Sequence, residues 1–191
     1  MKKNLTKKYS LTLADAITVC RMIGTLFLLL LRPLSAAFLW VYAFTGLTDA
    51  LDGWIARKTG TASDFGARLD SIADLLFYAV TLFRLVPLLW KALPGDIWYA
   101  VAAILIIRVS AYLIAAKKYR RFASLHTYLN KLTGGAVFLI PFLCSTGYAA
   151  AYCRITCGIA AVAALEELLL HLRRETYCAD IKSIFQEVES I

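Results

Sequence analysis

Residues 67 to 90 read ARLDSIADLLFYAVTLFRLVPLLW, an apolar run long enough to cross a bilayer that carries Asp70 and Asp74 one helical turn apart near its start. A spanning helix needs about 20 mainly apolar residues. An ionised carboxylate inside one is costly unless it is paired or bound to a cation. Whether this stretch is a membrane helix is decided by its surroundings. Further apolar windows lie at 12 to 31, 34 to 57, 96 to 116, 133 to 149 and 151 to 172, divided by breaks such as Arg32-Pro33 and Pro94-Gly95. The 191 residues are 60% apolar and only 18% charged, against about a quarter charged in soluble domains. The expectation is an all-α integral membrane protein of six transmembrane helices, forming one domain over 1 to 191.

The net charge of +8 does not mark a nucleic-acid binder, because the basic residues are interleaved with apolar runs instead of covering one polar face. Lys and Arg fall mostly on one side of the predicted membrane. Lys2, Lys3, Lys7, Lys8, Arg57, Lys58, Lys117, Lys118, Arg120, Arg121, Lys131, Arg173, Arg174 and Lys182 stand against Arg32, Lys91 and Arg154. By the positive-inside rule both termini are cytoplasmic, which fits a multi-pass protein of the cell's inner membrane. The start has the basic and apolar regions of a signal peptide, yet Asp15 and Arg21 interrupt it and no cleavage site follows, so it reads as the first span. Cys20, Cys144, Cys153, Cys157 and Cys178 lack zinc-site spacing and read as reduced, small apolar residues.

Asp49 and Asp52 are three residues apart and Asp70 and Asp74 four, so each pair occupies one helix face, and both pairs sit near cytoplasmic ends. Four convergent carboxylates without His or Cys make a hard oxygen site suited to two Mg²⁺ or Mn²⁺ ions. The alternative is structural ion pairing with Arg57, Lys58, Arg68 or Arg84. Small residues at Gly53, Ala56 and Gly66 leave room for a bulky ligand beside the carboxylates, or allow close helix packing. Between the pairs runs a polar break in which Ser63 or Asp64 can cap the third helix.

Taken together, Asp49-Ala-Leu-Asp52-Gly53-Trp-Ile-Ala56-Arg57, eight residues, Gly66, three residues, Asp70, three residues, Asp74 resembles the signature of the CDP-alcohol phosphatidyltransferases. The resemblance implies phospholipid biosynthesis: transfer of a phosphatidyl group from CDP-diacylglycerol to an alcohol, with release of CMP. It implies that the four aspartates bind two metal ions bridging the donor pyrophosphate and that Asp74 also serves as the base. Gly53, Arg57 and Ser63 would contact the CDP part, with Ala56 and Gly66 shaping its pocket. Asp15-Ala16-Ile17-Thr18 resembles a nucleotide-proximal segment of the family, although Ala14 stands where proline is common, so Asp15 and Thr18 join the donor site. A homodimer is a further family expectation.

The shared signature does not distinguish acceptors. Asn130-Lys131-Leu132-Thr133 partly resembles the segment opening the fifth span of phosphatidylglycerophosphate synthases. Arg108, Lys117, Arg120 and Lys131 could grip a phosphate, which favours glycerol 3-phosphate. Serine, inositol, inositol phosphate or another polar alcohol are alternatives, since Glu166 and Glu167 lie unusually deep in an apolar run and could face a hydroxylated or cationic head group. Arg108 could equally pair with one of them. Outside this chemistry, a divalent-cation transporter or a silent scaffold would also account for intramembrane carboxylates.

Overall fold

A computed structural model of the chain describes residues 12–59, 64–120 and 127–173, apart from the side chains of 14, 49–59, 64 and 67. Among the described residues there are six helices and no strand: α1 (Leu13–Phe27), α2 (Ala36–Thr59), α3 (Asp64–Ala92), α4 (Gly95–Tyr119), α5 (Tyr128–Leu143) and α6 (Ala149–Arg173). The all-helical expectation holds. Among the described residues, three helical stretches are long and apolar enough to cross a membrane, Arg68–Ala92, Gly95–Tyr119 and Ala149–Arg173. In α2 the described side chains, through Thr48, form a shorter apolar stretch, Ala36–Thr48. α1 and α5 are shorter than the windows in the sequence suggest.

The differences have local causes. Leu29 and Leu30 donate to carbonyls only three residues back, so α1 tightens into turns before Arg32-Pro33, where a residue preceding proline is pushed out of helical geometry. Leu34 then takes a left-handed backbone, φ 61°. α5 begins at Tyr128 and not at 133 because the Thr127 hydroxyl accepts from the Asn130 amide at 3.2 Å, a side-chain cap on the first turn. The basic tail with Ile181, Ile184, Phe185 and Val188 at helical spacing lies outside the described residues.

The chain divides into two compact units at the Lys91–Ala92 junction. In the first, α1 packs on α2, and the polarity is inverted relative to a water-soluble protein. Thr18, Arg21, Thr25, Thr45 and Thr48 are buried, whereas Leu30 (79%) and Trp40 (78%) are among the most exposed residues. So much exposed apolar surface matches a lipid environment. At one point of this contact a Cβ on Gly24 would lie 3.0 Å from the Thr45 hydroxyl. That hydroxyl is held at 2.6 Å on the Val41 carbonyl and is buried, so it has no room to retreat. Gly24→Val is expected to lower stability by about 1–3 kcal/mol through overpacking, read as an earlier thermal midpoint in detergent. On α3, Arg84 donates to the Leu31 carbonyl beyond the end of α1, satisfying an acceptor that the helix end leaves open.

In the second unit α6 packs against both α4 and α5. Ile104, Ala160 and Ala164 form its apolar centre with Ile107, Cys157 and Ala161 around them. Small side chains at these contacts let backbones approach, as membrane helices require. Two polar ties lock the packing: the Tyr152 hydroxyl donates to the Ala136 carbonyl at 2.9 Å, and the Lys118 ammonium donates to the His171 and Leu172 carbonyls at 3.1 Å each. The second tie joins α4 to the last described turn of α6.

Candidate functional site

The polar site in the first unit starts with the cap of α1. The Thr12 hydroxyl accepts from the Asp15 amide at 3.1 Å. The Asp15 carboxylate in turn accepts from the Thr12 amide at 2.9 Å and the Thr12 hydroxyl at 2.8 Å. This reciprocal capping box fixes the first turn. From there a buried face continues up the helix at spacings of three and four: Asp15, Thr18, Arg21 and Thr25, with Arg21 only 1% exposed. Thr25 donates back to the Arg21 carbonyl at 2.9 Å.

Arg21 reaches across to α3. One of its terminal nitrogens donates to Asp70 Oδ1 and also lies 3.4 Å from the Asp70 carbonyl oxygen. The other stands 3.3 Å from Asp74 Oδ1. The two signature carboxylates of α3 therefore share one buried guanidinium, and both remain about half exposed on the other side (43% and 44%). This arrangement was not legible as a site in the sequence, where Arg21 only interrupts an apolar run. The available signal was the general rule that a charge inside a span has a partner.

The other half of the predicted carboxylate cluster is placed only by backbone. Asp49, Asp52, Gly53, Ala56 and Arg57 all fall in the C-terminal half of α2, and their side chains lie outside the described residues, as does Ser63 altogether. Gly66 falls in the first turn of α3, four residues before Asp70. Among the described residues no group of three or more metal-ligating side chains is found, a set that leaves out the side chains of Asp49 and Asp52. Asp70 and Asp74 each offer hard oxygen donors, the ligand chemistry that suits a divalent metal.

The predicted acceptor residues are distributed differently. Arg108, in the middle of α4, donates to the Asn130 side-chain oxygen at 2.9 Å and to Glu167 at 3.2 Å, and the Asn130 amide also reaches Glu167 at 3.3 Å. Glu167 is fully buried. The guanidinium is thus neutralised within the second unit, in the pairing that the sequence left open. Lys117, Arg120 and Lys131 are exposed at the ends of α4 and α5 and do not join this network. A cavity of about 340 Å³ between α4 and α6, walled by Ala100, Ile104, Gly158 and Ala161, holds none of the predicted site residues.

A 70-residue stretch is 43% identical to the CDP-diacylglycerol--serine O-phosphatidyltransferase of Methanocaldococcus jannaschii, covering 37% of this chain and 32% of that one. A stretch of 95 residues is 37% identical to the CDP-diacylglycerol--glycerol-3-phosphate 3-phosphatidyltransferase of Pseudomonas fluorescens, covering 46% and 49%. A longer match, 33% identical over 140 residues, covers 69% of this chain and 62% of the cardiolipin synthase (CMP-forming) of Streptomyces coelicolor. The chain thus spans about half or less of the length of the first two relatives. No solved structure matches. The profile of the CDP-alcohol phosphatidyltransferases covers residues 11–165, and the chain belongs to that family.

Proposed function

We propose that this protein makes a phospholipid by transferring a phosphatidyl group from CDP-diacylglycerol to a small alcohol, with release of CMP. The observation that carries the reading is the pair Asp70 and Asp74, one turn apart on α3 and gathered on one buried guanidinium, at the signature spacing of the family the chain belongs to. Both units form a single catalytic domain in this reading. Six membrane-spanning helices place both termini and the active site on the cytoplasmic side of the cell membrane, supported by the one-sided Lys and Arg distribution. A homodimer is part of the same reading.

Asp49, Asp52, Asp70 and Asp74 would hold two Mg²⁺ or Mn²⁺ ions. When bound, these would supply positive charge to the donor pyrophosphate and to the departing CMP. Arg57 adds charge-assisted hydrogen bonds to the phosphates, with Gly53, Ser63, Asp15 and Thr18 lining the cytidine side and Ala56 and Gly66 leaving it room. Asp74 takes the proton of the acceptor hydroxyl as the new phosphodiester forms. The acceptor is glycerol 3-phosphate, gripped by Arg108, Lys117, Arg120 and Lys131. The neutralisation of Arg108 by Glu167 favours a second reading, with an acceptor that carries no phosphate, such as serine.

The test is CMP release by purified protein in lipid nanodiscs, with CDP-diacylglycerol, Mg²⁺ and each of glycerol 3-phosphate, serine, inositol and inositol phosphate. Turnover with glycerol 3-phosphate is the expected result. Turnover with serine or inositol alone selects the second reading, and no turnover with any acceptor from a monodisperse, metal-loaded sample removes the transferase assignment.

A further inference from the structure

Arg21 is the most buried charged side chain on α1, at 1% exposure, and the proposed mechanism gives it no part. A guanidinium in an apolar helix is expensive to keep unless its contacts need it. It is anchored on one helix and holds two carboxylates of another, with one terminal nitrogen for Asp70 and the other for Asp74. The planar fork of arginine fixes the separation and orientation of two acceptors in a way that a single ammonium cannot. Both contacts use Oδ1 atoms, and a carboxylate with two oxygens can accept from arginine and ligate a cation together.

We propose that Arg21 is a positioning residue for the metal site, holding Asp70 and Asp74 in the geometry that ligates a divalent cation. This rests on the metal-binding reading of the two aspartates given above. It has a consequence opposite to simple charge balance. If Arg21 only offset negative charge, its removal would leave a more anionic site that binds cations more tightly. If Arg21 positions the ligands, its removal loosens them and binding weakens, as when other hydrogen-bond partners of metal ligands are lost, by about 10–100-fold.

The experiment titrates Mn²⁺ alone, without donor or acceptor, into full-length protein in nanodiscs, following free Mn²⁺ by electron paramagnetic resonance. Wild type is compared with Arg21→Gln, Arg21→Lys and Asp74→Asn, each checked for monodispersity and thermal midpoint. The expected result is a Mn²⁺ Kd raised by about 10–100-fold in Arg21→Gln and raised also in Arg21→Lys, which keeps the charge and loses the fork. Tighter or unchanged binding in Arg21→Gln, or wild-type affinity in Arg21→Lys, overturns the proposal. If Arg21→Gln does not fold, Arg21→Lys carries the test, since it retains the charge paired with both aspartates. A wild type that takes up no Mn²⁺, or an Asp74→Asn that binds as well as wild type, instead removes the metal reading on which the proposal rests.

Discussion

Asp74→Asn is expected to cut CMP release by about 10²–10⁴-fold, the range lost when a positioned general base is removed, while the protein stays folded. The amide has the size and shape of the carboxylate and still offers one oxygen to the Arg21 guanidinium, which lies 3.3 Å from Asp74 Oδ1. What it lacks is basicity and one unit of negative charge. The result is read by single-turnover CMP release beside a thermal midpoint. Near wild-type turnover would remove Asp74 from the proton-transfer step, and a collapse of the midpoint would show that its ion pair with Arg21 holds α1 to α3. Because Asp74 is proposed both as a ligand and as base, saturating Mn²⁺ separates the two roles: lost affinity is recovered by excess metal, and lost basicity is not.

Glu167→Ala should be the most destabilising single change in the second unit. Glu167 is fully buried and accepts from both Arg108, at 3.2 Å, and Asn130, at 3.3 Å. Truncating it strands a guanidinium that is only 22% exposed next to an amide that has lost its acceptor. Breaking a buried pair from one side costs about 3–5 kcal/mol. Replacing both partners with apolar residues, Arg108→Met with Glu167→Leu, should recover most of that loss, because no uncompensated charge remains. The thermal midpoints of the two single variants and the double variant form a cycle that isolates the pair. A double variant as unstable as Glu167→Ala would mean that packing around Glu167, and not its charge, is what matters. Activity in the double variant also bears on the acceptor, since a phosphate held by Arg108 would be lost with it.

The parts of the fold that were legible in the sequence are those set by one helix at a time. The i, i+4 spacing of Asp70 and Asp74 put both on one face of a long apolar run, and α3 bears this out. The window at 34 to 57 was read as one helix, and α2 runs over Ala36–Thr59. Contacts across elements were not legible. Arg21 and its partner Asp70 lie 49 residues apart in the chain, and no periodicity connects them. The Arg108, Asn130 and Glu167 network joins three helices; the sequence offered Glu166 or Glu167 to Arg108 without choosing, and gave no sign of Asn130 as a partner. Helix ends were misplaced where hydropathy and hydrogen bonding disagree. The run of leucines at 28 to 31 is apolar enough to extend α1, yet its amides turn to carbonyls three back. The start of α5 holds Asn130 and Lys131, too polar for a hydropathy window, while the Thr127 cap makes it helical.

The brevity of α1 bears on how substrates arrive. Its 15 residues rise about 22 Å at 1.5 Å per residue, against a hydrocarbon thickness of about 30 Å. A span shorter than the bilayer is accommodated by local thinning, by snorkelling of flanking residues or by association with other helices. In the topology proposed above, where α1 is a span, thinning would bring water and head groups closer to Arg21, Asp70 and Asp74. For the proposed transferase, a thinned bilayer there would let a soluble alcohol meet a donor lipid that stays in its own leaflet.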